Sequence, residues 1–323
     1  MSDPFEPYRA DFAFTAEGDN HSAADEPMFS GALSFCRRRY ARSLAGVDLA
    51  VVGVPFDTAV TNRPGCRFGP RAVREASSNL AWGRAWPSEF DPFEKINVAD
   101  WGDLVWDHAR PDKVPALIVE ALETIHAAGA DTLCLGGDHF ISYPALKAHA
   151  TKYGDGLSLI HFDAHSDTWG SDEADRIDHG TMFRRAVEEG LIDPARSIQI
   201  GLRTTNDDPM GFHIRDGNWL QENGIDATVA AIKEVVGDNR AYLTFDIDCL
   251  DPAYAPGTGT PVCGGPSTWQ AKEILRRLDG IDLKGMDLVE VAPAYDHAGI
   301  TALAGATIAL ELVCLYARCK GAQ

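Results

Sequence analysis

The stretch from Leu159 to Trp169, LIHFDAHSDTW, is an apolar run that ends in a cluster of titratable side chains. Its first half has the composition of a buried strand, and its second half places Asp163, His165 and Asp167 at every second position. In an extended chain this spacing puts all three side chains on one face. Carboxylates gathered in that way resist burial unless a cation neutralises them. The segment therefore predicts a strand that ends at a metal site.

Three further apolar segments end in the same manner: LGGDHF at 135–140, TFDIDCLDP at 244–252 and DLVEVAP at 287–293. Asp246 and Asp248 again stand two residues apart, which predicts that they share a face. Imidazoles among several carboxylates suit a borderline or hard divalent ion, and no thiolate shares the spacing. The number of carboxylates indicates two ions with bridging oxygens. Such a pair activates water for hydrolysis.

Short apolar segments alternate with helical patterns along most of the chain. This alternation predicts a three-layer α/β/α fold with a mostly parallel central sheet, whose functional residues lie beyond the carboxyl ends of the strands. Residues 1–30 are predicted to form an N-terminal arm, and residues 31–323 a single domain. The predicted strands are 48–56, 132–135, 157–162, 197–202, 241–245 and a segment within 283–291. The predicted helices begin at Pro70, at Val114 (ending before Gly129), at Ser267 or Thr268 (ending at Gly280) and near Ile300.

The composition restricts the partners and the compartment. The 323 residues carry a formal net charge of −19 and no basic stripe, which argues against nucleic-acid binding. The seven cysteines form no CxxC pair and are predicted to be small buried residues of a reducing compartment. The most apolar stretch, 301–317, is short for a membrane span and contains Glu311, so a buried helix is predicted. We expect a cytoplasmic protein with no membrane association.

Several other residues near the motifs have simpler interpretations. Asp138 and Asp251 are expected to brace turns. His161 is out of register with the Asp163 face and is expected to be a hydrogen-bonded core histidine, whereas His126 lies off the apolar face of its helix and is expected in solvent. Cys249 is expected to pack in the core.

The motifs GGDH, DAHSD, FDIDCLDPAYAPGTGTP and MDLVEVAPAYD together resemble the signature blocks of the ureohydrolases, the family of arginases and agmatinases. The resemblance runs in order from about Val47 to the C-terminus, and blocks this long are highly specific. Within the family the chain is most similar to bacterial agmatinases, notably in NLAWGR (79–84), IDHGTMF (177–183) and EEGLIDP (188–194).

The resemblance implies an arginase-like fold and two manganese ions per subunit. One ion would be bound by His139, Asp163, Asp167 and Asp246, and the other by His165, Asp163, Asp246 and Asp248, so that Asp163 and Asp246 bridge. Asp167 would also transfer a proton, His179 would exchange protons with solvent, and Glu290 would bind the guanidinium group. Thr260 corresponds to a residue near the substrate, although a turn role is an equal alternative. The family forms trimers or hexamers, so a homo-oligomer is expected.

The implied reaction is hydrolysis of agmatine to putrescine and urea by a metal-bridging hydroxide. Acidic residues in the 169–180 segment would suit the ammonium tail of agmatine: Asp172, Glu173, Asp175 and Asp178. Guanidinobutyrase and guanidinopropionase share nearly all the same blocks and stay open as alternatives. A non-catalytic homologue is less favoured because no ligand position is lost. A deacetylase of related fold would bind one metal ion and would need no counterpart of His139, so the presence of His139 argues against this alternative. The ligand types also permit nickel, cobalt or iron.

Overall fold

One parallel sheet of eight strands organises the computed structural model, which describes residues 27–81, 85–87, 91–173 and 175–321. The strands lie in the order β2-β1-β3-β8-β7-β4-β5-β6, and every neighbouring pair is parallel. Their bounds are β1 Leu49–Val54, β2 Val98–Asp103, β3 Asp131–Gly136, β4 Ser158–Phe162, β5 Ile198–Ile200, β6 His213–Arg215, β7 Arg240–Asp246 and β8 Asp282–Val289.

Helices cover both faces of the sheet and give the three layers that the sequence predicts. Side chains of α2, α3 and α4 pack in the core on one face, and side chains of α1, α5, α6 and α7 pack in the core on the other. The helices are α1 Gly69–Ser77, α2 Val114–Ala127, α3 Ser142–Tyr153, α4 Met182–Glu188, α5 Gly217–Val236, α6 Thr268–Arg276 and α7 Ile300–Gly321. Strand β1 is buried at every position, as expected for a strand covered on both faces.

Local sequence signals account for several helix ends. Pro70 lies in the first turn of α1, where its missing N–H removes no helical hydrogen bond. Ser267 caps α6 through the backbone of Gln270, and the Gln270 side chain accepts a hydrogen bond from the Ser267 N–H. Gly129 follows α2 with φ of +95°, a conformation that glycine adopts without strain. These three helix boundaries agree with the predicted ones.

The six predicted strands are present, but the sequence reading did not identify β2 and β6 or helices α3, α4 and α5. Strand β2 (VADWGD) has polar residues at its end, and β6 has only three residues. Both lie at the edges of the sheet, where one side of the strand has no partner and the apolar pattern is weak. Edge position therefore explains why neither strand has a clear sequence signal.

The strand order brings the four predicted motifs together. Strands β3, β8, β7 and β4 are consecutive in the sheet, although they lie far apart along the chain. Their carboxyl ends lead directly into the segments that contain His139, Glu290, Asp246 and Asp163. Gly137 allows the first of these turns, since a Cβ at this position would lie 1.9 Å from the Phe56 carbonyl oxygen. The candidate site thus forms at the carboxyl edge of the sheet, as predicted.

Helix α7 is a core element. Ile300–Lys320 is long and apolar enough to cross a membrane by length and composition, but 83% of its most apolar window is buried inside the protein. Glu311 is buried against Arg276 of α6, with an oxygen–nitrogen distance of 2.6 Å. The prediction of a buried helix is consistent with this packing.

Two predictions about single side chains were wrong. His126 is 8% exposed and packs edge-on against His149, with ring centroids 4.5 Å apart, because α3 covers the side of α2 that the periodicity assigned to solvent. Cys263 is exposed in a loop, whereas the other six cysteines are buried, and all seven are free thiols. Most of the predicted N-terminal arm (1–26) and part of the NLAWGR motif (82–84) lie outside the described residues.

The buried His126 predicts a specific loss of stability in acid. Burial lowers the pKa of His126 to about 3 and the pKa of His149 to about 4. The unfolded chain binds these protons near pH 6.5, so stability should fall as the pH drops from about 6.5 toward 4. Replacing His126 by Phe keeps an aromatic ring in the core and removes one of the two groups that bind a proton on unfolding. Between pH 7.5 and pH 5, the free energy of unfolding of His126→Phe should therefore decrease by about 1–2 kcal/mol less than that of the wild type.

Thermal or urea unfolding at the two pH values measures this difference. The metal site titrates in both proteins, so only the difference between them reports on His126. His108→Phe makes the same change at an exposed position and should follow the wild type. An equal acid sensitivity of His126→Phe and wild type would contradict the prediction.

Candidate metal centre and active site

The metal-ligand candidates meet through tight turns and not through a shared strand face. Strand β4 ends at Phe162, and the Asp163 carboxylate accepts a hydrogen bond from the His165 backbone N–H at 2.6 Å. The Asp246 carboxylate likewise accepts one from the Asp248 N–H at 2.8 Å. An aspartate often captures the amide two residues further on and turns the chain. The predicted alternation along an extended strand was therefore wrong, although the side chains do converge.

The centre of the site is Nδ1 of His139, which is surrounded by carboxylate oxygens. This nitrogen lies 2.9 Å from Asp163, 3.0 Å from Asp167 and 3.2 Å from Asp246. It makes no hydrogen bond of good geometry to any residue that the structure describes. The imidazole and the Asp163 carboxylate are almost completely buried, so water does not separate these groups.

Hydrogen bonds behind His139 show which nitrogen carries its proton. Nε2 lies 2.7 Å from Thr244 Oγ1, and the Thr244 hydroxyl donates to Asp287 Oδ1 at 2.5 Å. A hydroxyl whose proton is used in this way accepts from Nε2–H. In the neutral ring, Nδ1 then presents a lone pair to three carboxylates. Metal-ligating histidines are typically oriented by such a hydrogen bond on the other nitrogen.

A second group of ligand atoms lies beside the first and shares Asp163 with it. His165 Nδ1 is 3.3 Å from Asp163 Oδ1 and 3.1 Å from Asp248 Oδ2. Thr260 donates to the same Asp248 oxygen at 3.1 Å. The six predicted ligands are thus all present at one site: His139, Asp163, His165, Asp167, Asp246 and Asp248.

The electrostatics of the cluster call for cations. Burial and the neighbouring charges of Asp248 and Asp163 raise the pKa of Asp246 well above its ordinary value. A lone pair and several carboxylate oxygens at about 3 Å repel one another unless a positive charge lies between them. Imidazole and carboxylate donors without thiolate suit a divalent metal ion. The residues present therefore fit a divalent metal site.

His161 supports this site without facing its centre. Gln199 Nε2 donates to His161 Nδ1 at 3.0 Å and to the Ser166 carbonyl at 2.7 Å. The proton of His161 is thereby placed on Nε2, which donates to Asp163 Oδ2 at 2.7 Å. His161 is a satisfied core histidine, as the sequence indicated, and it orients a bridging-ligand candidate.

Glu290 follows β8 with φ of +64°, a conformation that is costly for a glutamate. Its Oε1 accepts hydrogen bonds from the His139 backbone N–H at 2.9 Å and from His179 Nδ1 at 2.8 Å. Although burial opposes ionisation, the His179 hydrogen bond and charge hold the pKa of Glu290 below its ordinary value. Oε2 is buried without a hydrogen-bond partner in the described residues. Glu290 is thus a buried carboxylate that favours the ionised form and has one oxygen without a hydrogen-bond partner among the described residues.

His179 lies between Glu290 and a loop of residues 57–62 that follows β1. Its Nε2 faces Thr61, with 3.1 Å to the backbone nitrogen and 2.9 Å to the hydroxyl oxygen. Burial lowers the pKa of His179, but the hydrogen bond to Glu290 and the Glu290 charge outweigh burial and raise it to about 9. The Glu290 contact therefore favours the protonated ring.

A cavity of about 360 Å³ lies beside this cluster and is lined by part of it. Trp169 forms part of its wall, 6.4 Å from His165 between ring centroids. Its lining also includes five of the predicted site residues and the loop residue Thr61: His165, Asp167, His179, Asp246, Thr260 and Thr61. The cavity therefore borders residues of both ligand groups.

Of the four acidic residues predicted near the substrate, Asp172, Glu173 and Asp175 are outside the cavity lining and Asp178 is part of it. Asp178 is there, but it is buried and paired with Arg176, whose Nε lies 3.0 Å from Asp178 Oδ2. Asp175 borders a separate groove between α2 and α3, while Asp172 and Glu173 are exposed outside the cavity lining. These side chains diverge because the segment turns several times between Gly170 and Gly180.

The simpler interpretations of neighbouring residues hold. Asp138 accepts a hydrogen bond from the Ala59 N–H at 2.8 Å and braces the 57–62 loop. Asp251 accepts from the Ala253 and Gly264 amides, and Cys249 is buried in the core. The sequence reading missed Thr61 and Thr244, because a threonine in a loop or strand gives no signal of a long-range hydrogen bond.

Comparison with known proteins agrees with this geometry. The Arginase family model matches residues 47–314. An agmatinase from Chromobacterium violaceum is 52% identical, with 91% of this chain and 92% of that protein aligned. A crystal structure of a hypothetical agmatinase from Burkholderia thailandensis superposes with a TM-score of 0.90 at 54% identity, covering 91% of this chain and 94% of that one.

Proclavaminate amidinohydrolase from Streptomyces clavuligerus superposes with a TM-score of 0.85 at 36% identity, over 91% of this chain and all of that one. The fold class and the resemblance inferred from the sequence are thereby confirmed. The chain belongs to the arginase family, and it is a hydrolase of the ureohydrolase type.

Proposed function

We propose that this protein hydrolyses agmatine to putrescine and urea with two manganese ions. The observation that carries the proposal is the position of His139 Nδ1, 2.9–3.2 Å from three carboxylates, together with the Glu290 oxygen that has no hydrogen-bond partner in the described residues. The first arrangement fits a divalent ion, and the second fits a guanidinium group. Two relatives that are 52% and 48% identical to this chain, over 91% and 92% of its length, are named agmatinase.

The metal ligands divide into two sets that share Asp163 and Asp246. His139 and Asp167 complete the first set, and His165 and Asp248 complete the second. The distances support a set around each histidine and the sharing of Asp163, and the sharing of Asp246 follows from the family resemblance. When bound, the two ions supply a water of lowered pKa that can attack a guanidinium carbon.

Glu290 binds and orients the substrate. An ionised carboxylate accepts paired hydrogen bonds from a planar guanidinium, and Glu290 Oε2 is buried without a partner in the part of the chain described. His179 holds the other oxygen, so the carboxylate keeps one orientation. Thr260 lines the cavity and fixes Asp248, which fits a role at its wall.

Asp167 and His179 handle the protons. Asp167 lies at the cavity wall beside the His139 nitrogen, where it accepts a proton from the attacking water and transfers it to the leaving amine. His179, whose protonated form the Glu290 contact favours, exchanges its proton with solvent. The products are urea and an amine.

One observation favours a second candidate, a guanidino acid such as 4-guanidinobutyrate. Arg176 borders the cavity, and a guanidinium can pair with a carboxylate tail. The Nε and Nη2 groups of Arg176 already bind Asp178, so Arg176 has fewer free donors for a ligand carboxylate. The aromatic face of Trp169 suits a cationic tail instead. Agmatine is therefore the better-supported substrate.

Urea release by the manganese-loaded protein tests the proposal directly. Agmatine, 4-guanidinobutyrate, 3-guanidinopropionate and arginine should be compared at equal concentration. We expect the highest kcat/KM with agmatine. A preference for a carboxylate-tailed guanidine would reject agmatine as the substrate, and no urea from any of them would reject the hydrolase function.

We further propose a cytoplasmic homo-oligomer, trimeric or hexameric, that contributes putrescine to polyamine synthesis. Residues 31–323 would form its single catalytic domain, preceded by the arm of residues 1–30. Large apolar side chains on the surface support subunit contacts, since Trp86 and Trp269 are 73% and 61% exposed. The seven unpaired cysteines suit a reducing compartment.

Replacing Glu290 by Gln should abolish most activity. The change keeps the shape and removes the charge that pairs with the guanidinium, so kcat/KM for agmatine should fall at least about 100-fold. Glu311→Gln makes the same change at a buried glutamate that pairs with Arg276, away from the site. It should keep near-normal kcat/KM in the folded protein. Retained activity of Glu290→Gln would contradict the assignment of Glu290.

Replacing Thr244 by Val should weaken metal binding. The valine removes the acceptor of His139 Nε2–H and frees the ring to rotate. Loss of such a supporting contact typically lowers metal affinity about 10–100-fold. Competition with a chelator at fixed free Mn²⁺ measures the affinity independently of activity. Thr228→Val changes a buried threonine of α5 and is the matched control. Equal metal affinities of the two variants would contradict the role of Thr244 in orienting His139.

A further inference from the structure

We propose that the Thr61 hydroxyl positions His179 and carries protons between its Nε2 and solvent. This inference rests on the proposed function, in which His179 exchanges protons during turnover. It assigns the step to a loop residue that no sequence motif identified.

His179 and Thr61 both line the cavity, and the Thr61 hydroxyl lies at hydrogen-bond distance from His179 Nε2. His179 is 8% exposed, and Glu290 occupies its Nδ1 side at 2.8 Å. On the Nε2 side, Thr61 is the residue of the described chain within hydrogen-bond distance. Thr61 is itself exposed and lines the 360 Å³ cavity. The Thr61 hydroxyl is therefore a proton acceptor at hydrogen-bond distance from Nε2, and it is itself in contact with the cavity.

The two groups of Thr61 have different capacities. Its backbone N–H can only donate, so at 3.1 Å it favours the neutral ring with a lone pair on Nε2. Its hydroxyl both donates and accepts, so at 2.9 Å it can also receive Nε2–H from the protonated ring. A valine would remove this acceptor and leave the protonated nitrogen facing a donor alone.

The transfer is a hydroxyl relay without a redox step. The Nε2–H bond breaks as Thr61 Oγ1 takes the proton, and the original hydroxyl proton passes to a water in the cavity. The imidazolium becomes neutral and the water becomes hydronium. The reverse transfer recharges the ring.

The surrounding contacts keep Thr61 in place. The Ala59 N–H donates to Asp138 at 2.8 Å on one side of Thr61, and Asn62 Nδ2 donates to the Gly259 carbonyl at 3.1 Å on the other. The His179 N–H also donates to the Ala59 carbonyl at 3.4 Å. The loop is thus attached both to the site and to His179 itself.

The charges around His179 favour its protonated form, which makes release the demanding step. Burial lowers the pKa of His179, but the hydrogen bond and charge of Glu290, with smaller effects of the charges of Asp167 and Asp138, outweigh burial and raise it to about 9. Asp178 precedes it in its own segment, where Arg176 neutralises it. A ring held in this way needs an acceptor at Nε2 to exchange its proton rapidly.

Steady-state kinetics with agmatine on the manganese-loaded protein test the relay. Thr61→Val should lower kcat about tenfold or more with little change in KM, and it should increase the solvent deuterium isotope effect on kcat. Thr61→Ser retains the hydroxyl and should restore most of kcat and the normal isotope effect. Thr58→Val is the matched control, since Thr58 is an exposed residue of the same loop.

The titration of His179 gives a readout that does not depend on turnover. In the Zn²⁺-loaded protein with ¹³C-labelled histidine, the His179 signal is the one absent from His179→Asn. We expect Thr61→Val to lower the pKa of His179, and Thr61→Ser to leave it near the wild-type value. Wild-type kcat, isotope effect and pKa in Thr61→Val would overturn the inference. So would equal defects in the valine and serine variants, which would indicate a structural role. Absence of urea from the wild type would instead reject the proposed function, and the NMR titration would still decide whether Thr61 controls His179.

Discussion

The site requires the fold to hold mutually repelling electron-pair donors together at the carboxyl edge of the sheet. The Thr244 hydroxyl donates to Asp287 and accepts from His139 Nε2, so Nδ1 of the neutral ring presents its lone pair to three carboxylates. A folded chain does not keep such a cluster buried without cations. Metal binding and the stability of this edge of the sheet therefore depend on each other. The supporting hydrogen bonds have to be formed by the same fold that the metal stabilises.

The strand order brings these donors together from distant parts of the chain. Strands β3, β8, β7 and β4 lie side by side, and each contributes the residues just beyond its end. The Glu290 carboxylate then joins three of these contributions, since it accepts hydrogen bonds from His139 and from His179. His179 in turn contacts the loop after β1 through Thr61. The residues proposed for substrate binding, metal ligation and proton exchange thus share one connected set of hydrogen bonds.

Positive φ angles at two of the site residues fit this arrangement. Asp167 and Glu290 have φ of +53° and +64°, which non-glycine residues seldom adopt. In both cases the backbone turns sharply after a strand and aims the carboxylate at the cavity or at its lining. The surrounding hydrogen bonds hold these conformations, and their cost is part of what the fold offsets to build the site.

The sequence by itself determined the α/β class, the six central strands and the chemistry at their ends. Buried strands have continuous apolar composition, and charged residues that interrupt such runs need a functional reason. It did not determine how the ligands meet, because Asx turns at Asp163 and Asp246 replaced the extended geometry that the spacing suggested. Only the tertiary structure decided that His126 is buried, that the acidic 172–175 residues avoid the cavity, and that Thr61 and Thr244 contact the site histidines. Each of these depends on a contact between segments far apart in the chain, and local composition carries no information about such contacts.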